Sequence, residues 1–369
     1  MDNKEKILRK ALTPFGIFYR IAVNLRNCLY DWGVLKSIKY DIPVISIGNI
    51  TVGGTGKTPH TEYLIELLQN KYKVAMISRG YKRKTKNFVL ATPQSDAAKI
   101  GDEPMQIKRK YPDVIVAVDS NRRRAIEQLL NHPNPENHPD LILLDDAFQH
   151  RKITPSLSIL LIDSNRMIHE DKLLPAGNLR EPVGSKTRAH VVIVTKCTEK
   201  LKPIDYRIII KILDLYPYQK LFFTTQEYEN LKPVFPVGNL PNIPLSKLSQ
   251  YDNILLVTGI AAPELLQRKM QELTRQLNCI SYPDHYDFKE KDLRKIEETF
   301  NRMEGERKRI VVTEKDAMRL MAHSNASETI KQNTYYLPIK IRFIQKQEAQ
   351  FEKKIIECIN NPMGDSLLV

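Results

Sequence analysis

The sequence predicts an α/β protein: a P-loop NTPase-like parallel sheet with helices on both faces, joined to a second, smaller α/β domain. Three observations carry this. Short apolar runs at 42–47, 74–78, 114–118, 141–144, 158–163 and 191–195 alternate with amphipathic stretches, as strands buried on both faces do. The first run leads into a glycine-rich loop ending in Lys57-Thr58, and the fourth ends in Asp145-Asp146. Beyond residue 200, Pro203, Pro217, Pro233, Pro236, Pro241 and Pro244 punctuate the chain before the strand and helix pattern resumes. The expected organisation is a basic amphipathic interface-helix region at 1–40, a nucleotide-binding domain at 41–200 and a second α/β domain at 201–345. A helix follows at 346–369, free to return to the first domain.

The elements read as follows. Thr13-Pro14 is a helix start, with a capping hydroxyl ahead of proline. Phe15, Phe18, Tyr19, Ala22, Leu25 and Leu29 then recur at helical spacing on one face, with Arg20, Asn24 and Asn27 on another. Upstream, Lys6, Arg9 and Lys10 alternate with Ile7, Leu8, Ala11 and Leu12. Basic residues beside an aromatic, apolar stripe suit a helix lying in an anionic membrane interface, and the same stripe suits packing on a core. In the strand at 42–47, Pro43 must sit near the start. Tyr63, Leu64, Leu67 and Leu68 form the apolar side of the helix after Lys57-Thr58. Ser120 is the expected cap of the helix carrying Arg122-Arg123-Arg124. In the second half, 253–259 reads as strand and turn. A helix with Leu265, Leu266, Met270 and Leu273 follows, then strands at 309–313 and 335–339 and a helix at 351–359.

Charge narrows the partner. The 369 residues carry 57 Lys+Arg and 43 Asp+Glu, a net of +14. Residues 1–124 hold 23 basic and 11 acidic side chains, net +12, so the basicity is local to the N-terminal third. Either basic triplet, Lys82-Arg83-Lys84 or Arg122-Arg123-Arg124, read alone suits a solvated face as well as an anion-binding one. The regional asymmetry favours an anionic partner, and no compact aromatic-and-basic motif points to nucleic acid. No run of 18 apolar residues exists, and the four cysteines are far apart, which excludes CxxC zinc or redox motifs.

Strand, glycine-rich turn, Lys-Thr and helix is the context that a phosphate loop requires. Thr51, Val52, Gly53, Gly54, Thr55, Gly56, Lys57 and Thr58 are its residues. Backbone N–H groups and a helix N-terminus converge there on phosphate oxygens. Lys57 reaches the β/γ-phosphates and the Thr58 hydroxyl binds Mg2+. Thr51 replaces the first glycine of the usual pattern. An apolar strand ending in Asp145 and Asp146 matches the Walker B arrangement, which holds the metal; two such aspartates also serve as turn formers. Thr195-Lys196-Cys197-Thr198 lacks the aspartate expected for guanine recognition, which weakens the case for a GTPase against a kinase or another ATPase.

GNITVGGTGKTP at 48–59, SRGY at 78–81, GDEP at 101–104 and DDAFQH at 145–150 together resemble the tetraacyldisaccharide 4′-kinase (lipid A 4′-kinase) family. LPAGNLREP at 174–182, PDHYDF at 283–288 and TEKDAMRL at 313–320 extend the resemblance in the family's order. Asn178 departs from an expected proline, and Cys197 from a position that is often acidic. The resemblance implies transfer of the γ-phosphoryl of ATP to the 4′-hydroxyl of an acylated glucosamine disaccharide 1-phosphate, forming lipid IVA. It also implies a peripheral place on the cytoplasmic face of a bacterial inner membrane. It assigns Asp102 as catalytic carboxylate with His285 as partner, and Thr58, Asp145, Asp146 and Glu181 to the Mg2+ site. Glu103, His150 and Arg180 receive supporting roles near the substrate. The rival reading is a membrane-associated P-loop NTPase acting as a switch or delivery factor.

Overall fold

The computed structural model describes residues 12–274, 276–323 and 325–362, so the basic stretch before Leu12 lies outside the described residues. In chain order the first part comprises α1 (Thr13–Asp31), β1 (Val44–Gly48), α2 (Lys57–Leu68), β2 (Val74–Ser78), β3 (Val89–Leu90) and α3 (Ala97–Ile100). It continues with α4 (Asp102–Lys110), β4 (Ile115–Val118), α5 (Arg122–Leu130), β5 (Leu141–Asp145), β6 (Leu157–Asp163), β7 (Val191–Thr195) and α6 (Pro203–Leu213). After β8 (Lys220–Tyr228) come β9 (Lys232–Pro233), β10 (Asn253–Thr258), α7 (Glu264–Leu273), β11 (Gln276–Ser281) and α8 (Glu290–Arg302). The last elements are β12 (Lys308–Thr313), α9 (Glu314–Leu320), α10 (Glu328–Asn333), β13 (Thr334–Leu337), β14 (Ile339–Phe343) and α11 (Glu348–Asn360).

Two sheets organise these elements. The larger runs β14-β8-β7-β6-β1-β5-β2-β4-β3 and is parallel from β8 to β4, with antiparallel edges at β14 and β3. The smaller runs β11-β10-β12-β13-β9, parallel except for β9. All residues of β1, β2, β4, β5, β6 and β7 are buried, because helices cover both faces of a parallel sheet. Central β1 lies between β5 and β6, and Ile47 stands in register with Asp145. This register sets the glycine-rich loop and the Asp145-Asp146 turn side by side at the C-terminal edge, where open α/β sheets bind ligands.

Several sequence expectations shift. Proline density suggested a boundary near 200, yet β8 pairs with β7 and belongs to the first sheet. The expected strand at 335–339 is two strands. β13 ends at Leu337, Pro338 intervenes, and β14 pairs with β8, carrying the chain back to the larger sheet. There α11 packs Phe351 against Phe222, Phe343 and Tyr63, at centroid distances of 5.3, 4.6 and 6.0 Å. The cap of α5 is Asn121, whose side chain accepts from the Arg124 N–H, rather than Ser120. Thr13 is the first residue of α1 and Leu12 its N-cap, which forms no side-chain capping bond.

The expected stripe on α1 divides. Tyr19 and Leu29 are half-buried, while Phe15, Phe18, Ala22 and Leu25 face outward. Polar anchors choose the buried face. The Tyr19 hydroxyl donates to the Arg180 carbonyl at 2.9 Å, Arg26 to the Gln149 carbonyl at 2.7 Å, and Arg151 to the Asn27 carbonyl at 2.9 Å. Phe15 and Phe18 are left 63% and 73% exposed, with Ile17, Ile21, Trp32 and Val34 similarly open.

A buried charge cluster joins the sheets. Lys110 of α4 pairs with Glu62 of α2 at 2.6 Å and Glu314 of α9 at 3.5 Å, and Gln106 donates to Glu62 at 2.7 Å. Burial, then the neighbouring Glu62 charge, pushes Glu314 up to about 7. A folded-state pKa above the unfolded value binds protons more tightly in the native state. The resulting stability is complete below about 4.5 and is lost as pH rises through about 7. Urea unfolding from pH 4 to 9 should therefore show this loss, and Glu314→Gln should flatten it. An equally steep dependence in the variant would exclude Glu314 as its source.

Candidate active site

The phosphate loop is shaped by its glycines and by a strand-like pairing. Gly56 caps α2 at φ 87° and Gly53 lies at φ 95°, conformations that L side chains rarely adopt. Thr51 bridges Leu179, and the Val52 N–H donates to the Asn178 carbonyl at 2.7 Å, so segment 171–182 braces the loop. Asn49 Nδ2 donates to Thr55 Oγ1 at 2.8 Å, and Lys196 Nζ to the Gly54 carbonyl at 2.5 Å. Thr58 is buried in the first turn of α2. His60 ties that turn down through the Gly56 carbonyl at 2.7 Å and Thr224 Oγ1 at 3.1 Å.

The two adjacent aspartates differ in environment. Asp146, at φ 46°, is held by Arg180 at 2.7 and 3.3 Å, with Lys57 Nζ 3.9 Å away. Burial alone would raise its carboxyl, but the Lys57 and Arg180 charges and the Arg180 hydrogen bonds bring it down to about 2. Asp145 takes hydrogen bonds from the Thr61 hydroxyl at 3.3 Å and the Ser78 hydroxyl at 3.5 Å. Burial, then the Glu103 and Asp146 charges, pushes it up to about 7. An under-compensated buried carboxylate beside a second carboxylate and a threonine hydroxyl is a hard-oxygen donor set that suits Mg2+. Among the described residues, no group of three or more His, Cys, Asp or Glu could hold a metal ion by itself. A cation here would draw its remaining ligands from water and phosphate.

Asp102 and His285, 183 residues apart, meet: His285 Nδ1 lies 3.3 Å from Asp102 Oδ2. Asp102 opens α4 after Gly101, whose φ of 92° strains any L side chain and where a Cβ would stand only 3.1 Å from the Gly80 backbone. His285, at φ 56°, is fixed by its N–H to the Gly259 carbonyl at 3.2 Å and by the Tyr81 ring at 5.0 Å. Lys82 donates to the His285 carbonyl at 3.0 Å. Burial would raise Asp102, but hydrogen bonds from His285 and Arg319, with the Arg319 charge, hold it below its ordinary value. Glu103, next along α4, pairs with Lys315 and interacts electrostatically with Lys57 and Asp146, which links this pair to the phosphate loop.

Two expected residues sit elsewhere. Glu181 is engaged away from Asp145 and Asp146: its Oε2 is taken by Arg188 at 2.5 Å and Gln149 at 3.5 Å, and Arg26 stands 3.9 Å from Oε1. His150 lines a cavity of about 210 Å³ with Phe148, Arg188 and His190, where burial and then the Arg122 charge take it down to about 4. Sequence reasoning missed Arg122, Lys315 and Arg319. Arg122, whose triplet suited a solvated face as well as an anion-binding one, is buried and donates to the Asp145 and Asp146 carbonyls at 3.4 and 3.3 Å. Lys315 and Arg319 lie in the quoted segment 313–320, where the motif itself was the signal.

Known proteins are similar to this chain along nearly its whole length. The sequence profile of the tetraacyldisaccharide-1-P 4′-kinase family matches residues 8–360. The tetraacyldisaccharide 4′-kinase of Bacteroides thetaiotaomicron is 51% identical, over 99% of this chain and 97% of the relative. That of Phocaeicola vulgatus is 49% identical over 97% of each. A crystal structure of the "apo" form of LpxK from Aquifex aeolicus, in complex with ATP, is similar at a TM-score of 0.73 and 28% identity, over 95% of this chain and 99% of that one.

Proposed function

The chain belongs to the tetraacyldisaccharide-1-P 4′-kinase family, and from that premise we propose how its residues carry the reaction. It is a kinase of lipid A biosynthesis that uses ATP and phosphorylates the 4′-hydroxyl of tetraacyldisaccharide 1-phosphate, forming lipid IVA. The rival reading, a switch or delivery factor, is not favoured.

The observation that carries the mechanism is one electrostatic site built from both sheets: a phosphate loop, a split aspartate pair and an ionised carboxylate beside an imidazole. The loop N–H groups and the α2 N-terminus cradle the phosphates while Lys57 neutralises them. Thr58, Asp145 and Asp146 would hold Mg2+, which when bound would offset charge on the phosphate oxygens. Arg180 keeps Asp146 ionised and oriented, and Glu181 supports that edge through Arg188 and Gln149. Asp102, kept deprotonated, takes the proton of the 4′-hydroxyl, and His285 orients it. The sugar oxygen bonds to the γ-phosphorus, and the bridging bond breaks with its electrons leaving on ADP. Glu103 and Arg180 serve charge balance and alignment around the acceptor. Label transfer from γ-labelled ATP to tetraacyldisaccharide 1-phosphate in detergent micelles tests the activity; ATP hydrolysis without transfer would sink it.

The substrate class and membrane contact form the second part of the proposal. No helix among the described residues is long and apolar enough to cross a membrane. The outward Phe15, Ile17, Phe18, Ile21 and Leu25 of α1, with Arg20 beside them, suit insertion at an anionic interface. We place the protein peripherally on the cytoplasmic face of the bacterial inner membrane, with lipid and not nucleic acid as its partner. Phe18→Asp with Leu25→Asp should lower binding to vesicles containing phosphatidylglycerol at least tenfold in a flotation assay, with ATP affinity retained. Undiminished binding would remove α1 from the interface.

A further inference from the structure

The contacts of Arg319 exceed what a folded arginine needs. Its Nε and Nη2 both donate to Asp102 Oδ2, at 2.9 and 2.6 Å. Nη1 donates to Asp316 Oδ1 at 2.9 Å and to the Gly259 carbonyl at 3.3 Å. Asp316 is fully buried and fixed in turn. Its Oδ2 accepts from the Gly259 N–H at 2.9 Å and the Thr313 hydroxyl at 2.6 Å, while the Thr313 side chain caps α9. The Arg319 side chain is 6% exposed. A guanidinium fork is therefore braced by an acid of its own helix and aimed across the two sheets at the carboxylate of α4. Of the Asp102 contacts, the two from Arg319 and the one from His285 all fall on Oδ2. Oδ1 receives none of them.

We propose that Arg319 is a positioning residue for phosphoryl transfer: it pins Asp102 through Oδ2, so that Oδ1 is presented to the acceptor hydroxyl. The proposal rests on Asp102 being the proton acceptor. Arg319 also constrains the histidine. Its Nη2 lies 3.2 Å from His285 Nδ1. A guanidinium only donates, so this contact needs a bare Nδ1, whereas the Asp102 contact needs a proton there. The two are exclusive, so Nδ1 answers one partner at a time. Arg319 thus holds Asp102 through Oδ2 whichever way the His285 ring carries its proton. The same fork joins the sheets, so the acceptor carboxylate reaches its working geometry only when the smaller sheet is docked.

The charged groups around Asp102 define the control. Glu103 lies beside it on α4, paired with Lys315 of α9; Asp316 shares α9 with Arg319; Asp284 adjoins His285; and Lys82 reaches the His285 carbonyl. The test measures kcat against pH, from 5 to 9, for the full-length wild type, Arg319→Gln and Arg319→Lys, with ATP, Mg2+ and tetraacyldisaccharide 1-phosphate in micelles. An opposite charge at this distance lowers a carboxyl by about 1–3 pH units. Losing it should move the acid limb upward by at least about one unit in Arg319→Gln. Arg319→Lys keeps the charge without the fork, so its limb should move less while its kcat still falls. Added guanidinium ion should restore part of the Arg319→Gln rate, and ATP affinity should stay within about twofold in both variants. An activity loss with an unmoved acid limb in both variants overturns the clamp. Asp102→Asn separates the two ideas: if it turns over normally, the proton-acceptor reading fails. If it is inactive while the limb in the Arg319 variants stays put, only the clamp fails. If Arg319→Gln no longer binds ATP, the Arg319→Lys limb alone decides.

Discussion

Asp102→Asn should lower kcat by about 10²–10⁴-fold, the range for losing a positioned general base, while ATP affinity changes little. The phosphate loop is separate from Asp102 in the chain and braced by its own partners, Asn178, Asn49 and Lys196. An amide keeps the shape and can still accept from Arg319, but it cannot take the hydroxyl proton as a carboxylate does. His285→Ala should fall in the same direction by less, because Arg319 still holds Asp102 at 2.6 Å. Single-turnover transfer and binding of a fluorescent ATP analogue, measured on the same preparations, separate chemistry from binding. Full turnover in both variants would remove the pair from the mechanism.

Lys110→Ala should destabilise the protein by about 3–5 kcal/mol, the cost of stranding a buried charge by deleting its partner. Glu62 and Glu314 would face each other with only Gln106 and nearby side chains to answer them. Burial already raises both carboxyls. The loss should therefore shrink as pH falls and the carboxyls protonate, and Glu62→Gln added to Lys110→Ala should recover part of it. Because Lys110 ends the helix that Asp102 begins, and Glu314 begins the helix that carries Arg319, kcat should fall along with stability. A melting temperature unchanged by more than about 2 °C would exclude this role for the cluster.

Legibility followed sequence distance. The parallel strands were readable because strands covered on both faces must be apolar throughout, and β2 and β7 begin and end where the apolar runs do. The phosphate loop was readable because its chemistry is contiguous: glycines for the backbone, then Lys57 and Thr58 at the start of one helix. Boundaries set by tertiary pairing were not. Prolines at 203 and 217 suggested a new domain, but β8 follows them and hydrogen-bonds to β7. The buried face of α1 was likewise hidden. Periodicity ranks residues by hydrophobicity, whereas hydrogen bonds from Tyr19, Arg26 and Arg151 decided which side docks.

The sequence by itself determined a nucleotide-binding α/β sheet, the phosphate loop, the aspartates at the strand end and, through its motifs, Asp102 and His285 as partners. Only the tertiary structure decided how they act. The β1–β5 register puts Asp145 beside the loop. Asp146 is ionised because Lys57 and Arg180 flank it, while Asp145 is raised because burial and its neighbours' charges oppose ionisation. Arg319 reaches Asp102 across 217 residues of chain. Side-chain chemistry is written residue by residue. Charge and proton affinity depend on which groups come within a few ångströms out of water, and that is fixed by how the two sheets pack.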